Sequence, residues 1–172
     1  MGSRSLDEAK RNPGPPSPHS AALHAGHKLR RYAPADEDAS VALWLRTWTA
    51  TYPELDFAKR LDWWRRRWLT ELLPAAEVTI AEADGAMIGF VTVDPRTLYL
   101  DQIVVAPEHW RSGVGAALIA EAKRLSPRGL DLDVNVDNAR AIAFYRKLGF
   151  AITGPGNNPI TGKPVHRMSW RP

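Results

Sequence analysis

Around Pro74 the spacing of apolar residues changes, and that change limits the folds open to this chain. Upstream, Val41, Trp44, Leu45 and Trp48 stand at i, i+3, i+4 and i+7 and share one face of a helix reaching about Ala50. Phe57, Leu61, Trp64, Trp68 and Leu72 then predict a second helix from Phe57 to Leu73, with Lys59, Arg60, Arg65, Arg66 and Arg67 outside and Pro74 at its end. Downstream the period is two. Val78–Ala81 and Met87–Val93 flank Asp84-Gly85, a turn pair that signals a β-hairpin. A chain carrying both periods lays helices against a sheet.

The remaining elements follow from punctuation. Leu29–Tyr32 reads as a short strand closed by Pro34, and the acids at 36–38 favour a helix start behind it. Leu98–Val105 is a strand that stops at Pro107, and Val114, Leu118, Ala122 and Leu125 line one face of the next helix. Leu130–Asn135 alternates as a strand. Asn138 caps a helix over Ala139–Lys147 that Gly149 closes, and Phe150–Thr153 pairs with Val165–Trp170. The order is β-α-α-β-β-β-α-β-α-β-β, a mixed α/β sheet.

Residues 1–27 hold four prolines between Pro13 and Pro18 among Gly, Ser and charge, and read as a disordered tail before a single domain at 28–172. His24 and His27 have no third ligand nearby, so solvated histidines fit better than a metal site, and no metal is expected. No apolar run approaches the roughly 20 residues of a membrane span, and the N-terminus lacks a signal-peptide core, so the expected location is cytoplasmic. The absence of cysteine removes disulfides and thiol nucleophiles. The net charge of +4 suits an anionic ligand, but bases and acids are interspersed. In WWRRRW, residues 63–68, an amphipathic helix explains the arginines better than nucleic-acid binding.

WRSGVGAALI, residues 110–119, places two glycines at the start of a predicted helix, where glycine costs about 1 kcal/mol against alanine. A strand, a short loop and a helix N-terminus aim backbone N–H groups at one point, which favours an anion. Arg111 and Ser112 add charge and a donor. The stretch lacks the Lys-Ser/Thr of a P-loop and the third glycine of a dinucleotide fingerprint, leaving the diphosphate of another cofactor. A tight turn with close helix packing would use the same glycines.

LYLDQIVVAPEHWRSGVGAALI (98–119) and VNVDNARAIAFYRKLGF (134–150), in this order, resemble the GCN5-related N-acetyltransferase family over about residues 28–172. The first is similar to that family's strand, Q/R-x-x-G-x-G/A loop and acetyl-CoA-binding helix. The second is similar to its N-x-x-A-x-x-F-Y-x-x-x-G-F segment. The resemblance implies a mostly antiparallel mixed sheet flanked by helices, acetyl-CoA as acetyl donor, and no metal. It puts the cofactor against the backbone of Ile103, Val104 and Val105, against Ser112, Gly113, Val114, Gly115 and Ala116, and near Asn138. The family's Gln or Arg falls at Trp110 here, which shifts the expected side-chain contact to Arg111.

Transfer of an acetyl group to an amine needs a donor for the carbonyl oxygen, an acid for the leaving thiolate and a base for the ammonium. The family likeness assigns the first to a backbone N–H at 103–105 and the second to Tyr145, whose phenol is protonated at neutral pH. Packing of Phe144-Tyr145 is the structural alternative for that pair. Asp101, Asp131 and Asp133 are candidate bases, with an ordinary strand acid as the alternative for Asp101. Trp48 and Tyr52 are expected to line the acceptor site, together with the 153–164 loop. The acceptor is read as a small-molecule amine in preference to a protein amine, and a homodimer is open. The competing function is a non-catalytic acyl-CoA-binding module.

Overall fold

The computed structural model describes residues 26–159 and 161–172. His24 and nearly all of the expected tail lie outside the described residues. His27, expected in solvent, is instead buried, because it directly precedes the first strand.

Seven strands form one sheet in the order β1-β2-β3-β4-β5-β7-β6. Strands β1 (Lys28–Arg31), β2 (Glu77–Ala83), β3 (Ala86–Asp94) and β4 (Tyr99–Val105) run antiparallel in sequence. The β2–β3 turn has Asp84 and Gly85 both at positive φ, 50° and 77°, as a two-residue hairpin turn requires. On the other side β5 (Leu130–Asn135), β7 (Pro164–Trp170) and β6 (Ala151–Asn157) form a second antiparallel group. The last hairpin is longer than expected: β6 continues through Gly154-Pro155-Gly156. Proline is tolerated there because β6 is the sheet edge.

Helices cover both faces. On one, α1 (Glu37–Thr51) packs with α2 (Leu61–Arg67) around Trp44, Trp64, Trp68 and Phe90. The Trp44 and Trp64 rings stack at 4.4 Å. After Arg67 the helix passes through a π-helical turn (Trp68–Leu72) into α3 (Leu73–Ala75), so it outlasts Pro74 by one residue. On the opposite face, α4 (Val114–Leu125) and α5 (Ala139–Lys147) pack on Leu100, Leu132, Val134 and Met168. Asn138 caps α5 by accepting from Ala141 N–H at 3.1 Å, and Gly149 follows it at φ 86°.

Candidate functional site

The two antiparallel groups meet where β4 and β5 run parallel, and they pair at one position, Tyr99 opposite Asp131. Asp131 N–H donates to Leu98 O at 2.8 Å. Beyond that point the strands part, so a wedge opens toward their C-terminal ends. Backbone alternation decides what lines it. Ala106 N–H donates to Ile88 O at 2.9 Å, which turns the Val104 amide to β3 and those of Ile103 and Val105 toward the wedge. Val104 is therefore not a cleft amide, contrary to expectation: it is committed to the ladder and buried. The Val105 carbonyl accepts from Trp110 Nε1 at 2.9 Å and Thr47 Oγ1 at 3.3 Å.

The phase of β4 is set by a bulge. Thr92 pairs with Gln102 and Val93 with Leu100, leaving Asp101 as the extra residue. Its carboxylate accepts two hydrogen bonds from Arg67, at 2.9 and 2.6 Å, and a third from Gln102 Nε2 at 2.9 Å. With three donors on it, Asp101 is the acid of an ion pair with its oxygens already taken up. Arg67 is correspondingly drawn inward from the outer face where the helical wheel puts it, to a side-chain exposure of 13%. It is the last residue before the π-turn. Asp131 is also engaged, by Arg171 at 2.9 and 3.0 Å and by Ser169 at 2.6 Å. Asp133 accepts from Tyr99 Oη at 3.3 Å and has a longer ion pair with Arg167 at 4.0 Å.

On the α4/α5 side the wedge is closed by Tyr145, which is 8% exposed. Its ring meets Phe144 and Phe150 edge-on at 5.3 and 5.6 Å. Among the described residues no group hydrogen-bonds its hydroxyl. Burial, with Tyr99 nearby, pushes its pKa above the ordinary phenol value. The ring is core, and the hydroxyl keeps its proton at neutral pH.

The glycine loop separates two jobs. Arg111 and Gly113 have φ of 66° and 94°, left-handed backbone that costs an L-residue about 1–2 kcal/mol. A Cβ on Gly113 would meet nothing within 4 Å, so this glycine opens the loop outward. A Cβ on Gly115 would lie 3.1 Å from Phe144 Cζ, so that glycine serves the α4–α5 contact. The first helical bond is Ala117 N–H to Gly113 O. Val114, Gly115 and Ala116 therefore have no intrahelical acceptor, which leaves a cluster of donors at the positive end of α4. Ser112 contributes less than expected, because both its N–H and its hydroxyl donate to His109 O.

An open groove of about 300 Å³ lies between the end of α1 and the start of α5, lined by residues 50–52 and 137–140. Tyr52 crosses it, donating to Asp137 Oδ1 at 3.2 Å and accepting from Asn135 Nδ2 at 3.0 Å. Trp48 does not line the groove; it stacks behind Tyr52 at 6.0 Å and leans on Phe57. Asn138 lines it while its side-chain oxygen holds the α5 cap. Arg67, Tyr99, Asn135 and Asp137 were not singled out from the sequence. The spacing of β4 and β5 side chains across the wedge has no local signal, and the helical period put Arg67 with the other arginines on the outer face. A second depression, about 310 Å³, lies among Arg31, Glu77, Glu121 and Arg124 and shares no residue with the wedge.

Known proteins match this chain in sequence and in fold. The profile of the Acetyltransferase (GNAT) family matches residues 38–150. A peptidyl-lysine N-acetyltransferase, YjaB, of Salmonella typhimurium is 30% identical over 137 residues, covering 79% of this chain and 91% of that protein. The solution structure of apo-form YjaB from Escherichia coli superposes with a TM-score of 0.68 at 25% identity, covering 84% of this chain and 97% of that one. In fold alone, the PaiA N-acetyltransferase of Thermoplasma acidophilum, crystallised with coenzyme A, matches with a TM-score of 0.69 at 19% identity, covering 85% and 99%.

Proposed function

This chain belongs to the acetyltransferase (GNAT) family and is an acetyl-CoA-dependent N-acetyltransferase, and from that premise we propose how its residues divide the reaction. The observation that carries the proposal is the parting of β4 and β5 past Tyr99 and Asp131. It leaves the Ile103 and Val105 amides without a strand partner in a cleft whose mouth holds the free N–H groups of 114–116. An extended amide-bearing arm fits such an edge by strand-like pairing, and a diphosphate fits the loop.

In this reading the Ile103 N–H receives the charge that gathers on the thioester carbonyl oxygen as the amine adds to its carbon. The C–S bond then breaks and the Tyr145 hydroxyl gives its proton to the sulfur. No acyl-enzyme is invoked, because the chain has no cysteine. The amine arrives from the α1/α2 side past Tyr52. Asp133, the least encumbered of the three strand aspartates, takes the ammonium proton through water.

The acceptor is a primary amine. The first relatives, named peptidyl-lysine N-acetyltransferases, support a lysine side chain in place of the small amine expected from the sequence, while others are named for mycothiol or an amino acid. The open groove at Tyr52 supports this, since it admits a protruding chain without enclosing the rest of the substrate. Calorimetric titration with acetyl-CoA, with ATP and 3′-dephospho-CoA as controls, tests the cofactor assignment. Saturable one-to-one binding of acetyl-CoA, tighter than ATP, is expected. Absence of binding would refute the role given to the loop.

A further inference from the structure

Trp110 occupies the position before the glycine loop where a polar side chain would otherwise reach an anion. Its indole is already committed, with Nε1 donating to Val105 O at 2.9 Å and one ring face covered by the Arg140 guanidinium at 3.7 Å from the centroid. Stacking of this kind uses the face of a guanidinium and leaves its in-plane N–H donors available. Arg140 is exposed, and among the described residues those donors meet neither a carboxylate nor a carbonyl. Arg67 differs, since its donors are taken up by Asp101.

The surroundings specify what such a donor set is for. Arg140 stands in the first turn of α5 against Trp110, the residue that leads into the loop with the exposed Arg111 and the free N–H groups of Val114, Gly115 and Ala116. The flanking acids have other partners: Glu108 pairs with Arg46 at 2.7 Å, and Asp137 accepts from Tyr52 at 3.2 Å. We propose that Arg140, held on Trp110, is a phosphate-binding residue for the acyl-CoA donor, supplying from α5 the cationic contact that the residue at 110 cannot make. The inference rests on the acetyl-CoA reading above and adds a residue to it.

The test is titration of the full chain with acetyl-CoA by calorimetry, repeated for Arg140→Ala and Arg140→Lys and with 3′-dephospho-acetyl-CoA, the fold of each variant being checked by circular dichroism. Loss of a charge-assisted phosphate contact predicts roughly tenfold or greater weakening for Arg140→Ala, with less dependence on ionic strength. Arg140→Lys keeps the charge but loses the stacked planar fork, and is expected to bind between wild type and Arg140→Ala. If the Ala penalty persists with the dephospho donor, the contact is to the diphosphate; if it vanishes, the contact is to the 3′-phosphate. Either result supports the assignment. Wild type that binds, with Arg140→Ala within about twofold of it, overturns the inference alone, and so do Ala and Lys variants that are equally weak. Wild type that does not bind removes the underlying reading as well.

Discussion

Replacing Tyr145 by phenylalanine removes one oxygen from a ring that is otherwise core. The edge-on contacts to Phe144 and Phe150, at 5.3 and 5.6 Å, belong to the ring and survive. No protein hydrogen bond is lost, so stability changes by less than about 1 kcal/mol, the net worth of a typical intramolecular bond. Loss of the proton donor to the leaving thiolate removes a factor of about 10² to 10⁴, or roughly 3–5 kcal/mol of transition-state stabilisation. The assay is steady-state release of coenzyme A thiol at saturating amine, with acetyl-CoA varied. The account expects kcat to fall by about 10² or more while KM for acetyl-CoA stays within about twofold. Because burial raises the Tyr145 pKa, the phenol keeps its proton through neutral and mildly alkaline pH, and the wild-type rate rises as the acceptor ammonium deprotonates. A Phe variant with kcat within about threefold of wild type would refute Tyr145 as the acid.

Three further outcomes are expected. Gly113→Glu abolishes acetyl-CoA binding in calorimetry, by placing bulk and like charge at the loop mouth, and its backbone strain costs about 1 kcal/mol in urea unfolding; Gly115→Leu instead destabilises by about 1–3 kcal/mol by prising α4 from Phe144. Arg67→Met leaves the Asp101 carboxylate half-buried without its partner and lowers stability by roughly 1–3 kcal/mol in urea melts, whereas a negligible loss would mean that Asp101 is not held by the pair. Tyr145 and Tyr99 both have folded pKa values raised by burial, so their contribution is fully present below the unfolded phenol value of about 10 and is lost as pH rises above it; urea midpoints should fall beyond about pH 10, and less steeply in Tyr145→Phe.

Elements governed by local chemistry were legible from the residues. Asn138 and Gly149 bracket α5, and Asp84-Gly85 fixes the first hairpin, because caps and tight turns depend on residues within a few positions. The glycine loop was legible as the start of a helix, but the division of labour between Gly113 and Gly115 was not, since it depends on where Phe144 arrives from another helix. Arg67 and Asp101 show the same limit more sharply. A helical wheel puts Arg67 outside, and only the π-turn after it and the β4 bulge opposite bring the two together. The family likeness offered 103–105 as a block, Val104 included, because the edge a residue's amide faces is decided by which strand pairs with it. The extension of β6 through Gly154-Pro155-Gly156 escaped notice because glycine and proline read as loop wherever the partner strand is not in view.

The central claim is that the wedge between β4 and β5 brings an acetyl thioester to a primary amine. Its most direct test is to incubate the purified chain with acetyl-CoA and a lysine-containing peptide beside a panel of small amines, following thiol release and the mass of each amine. The account predicts acetylated product in one-to-one ratio with released thiol, with the peptide lysine preferred. Thiol release no faster than without the protein, and no acetylated amine, would contradict it.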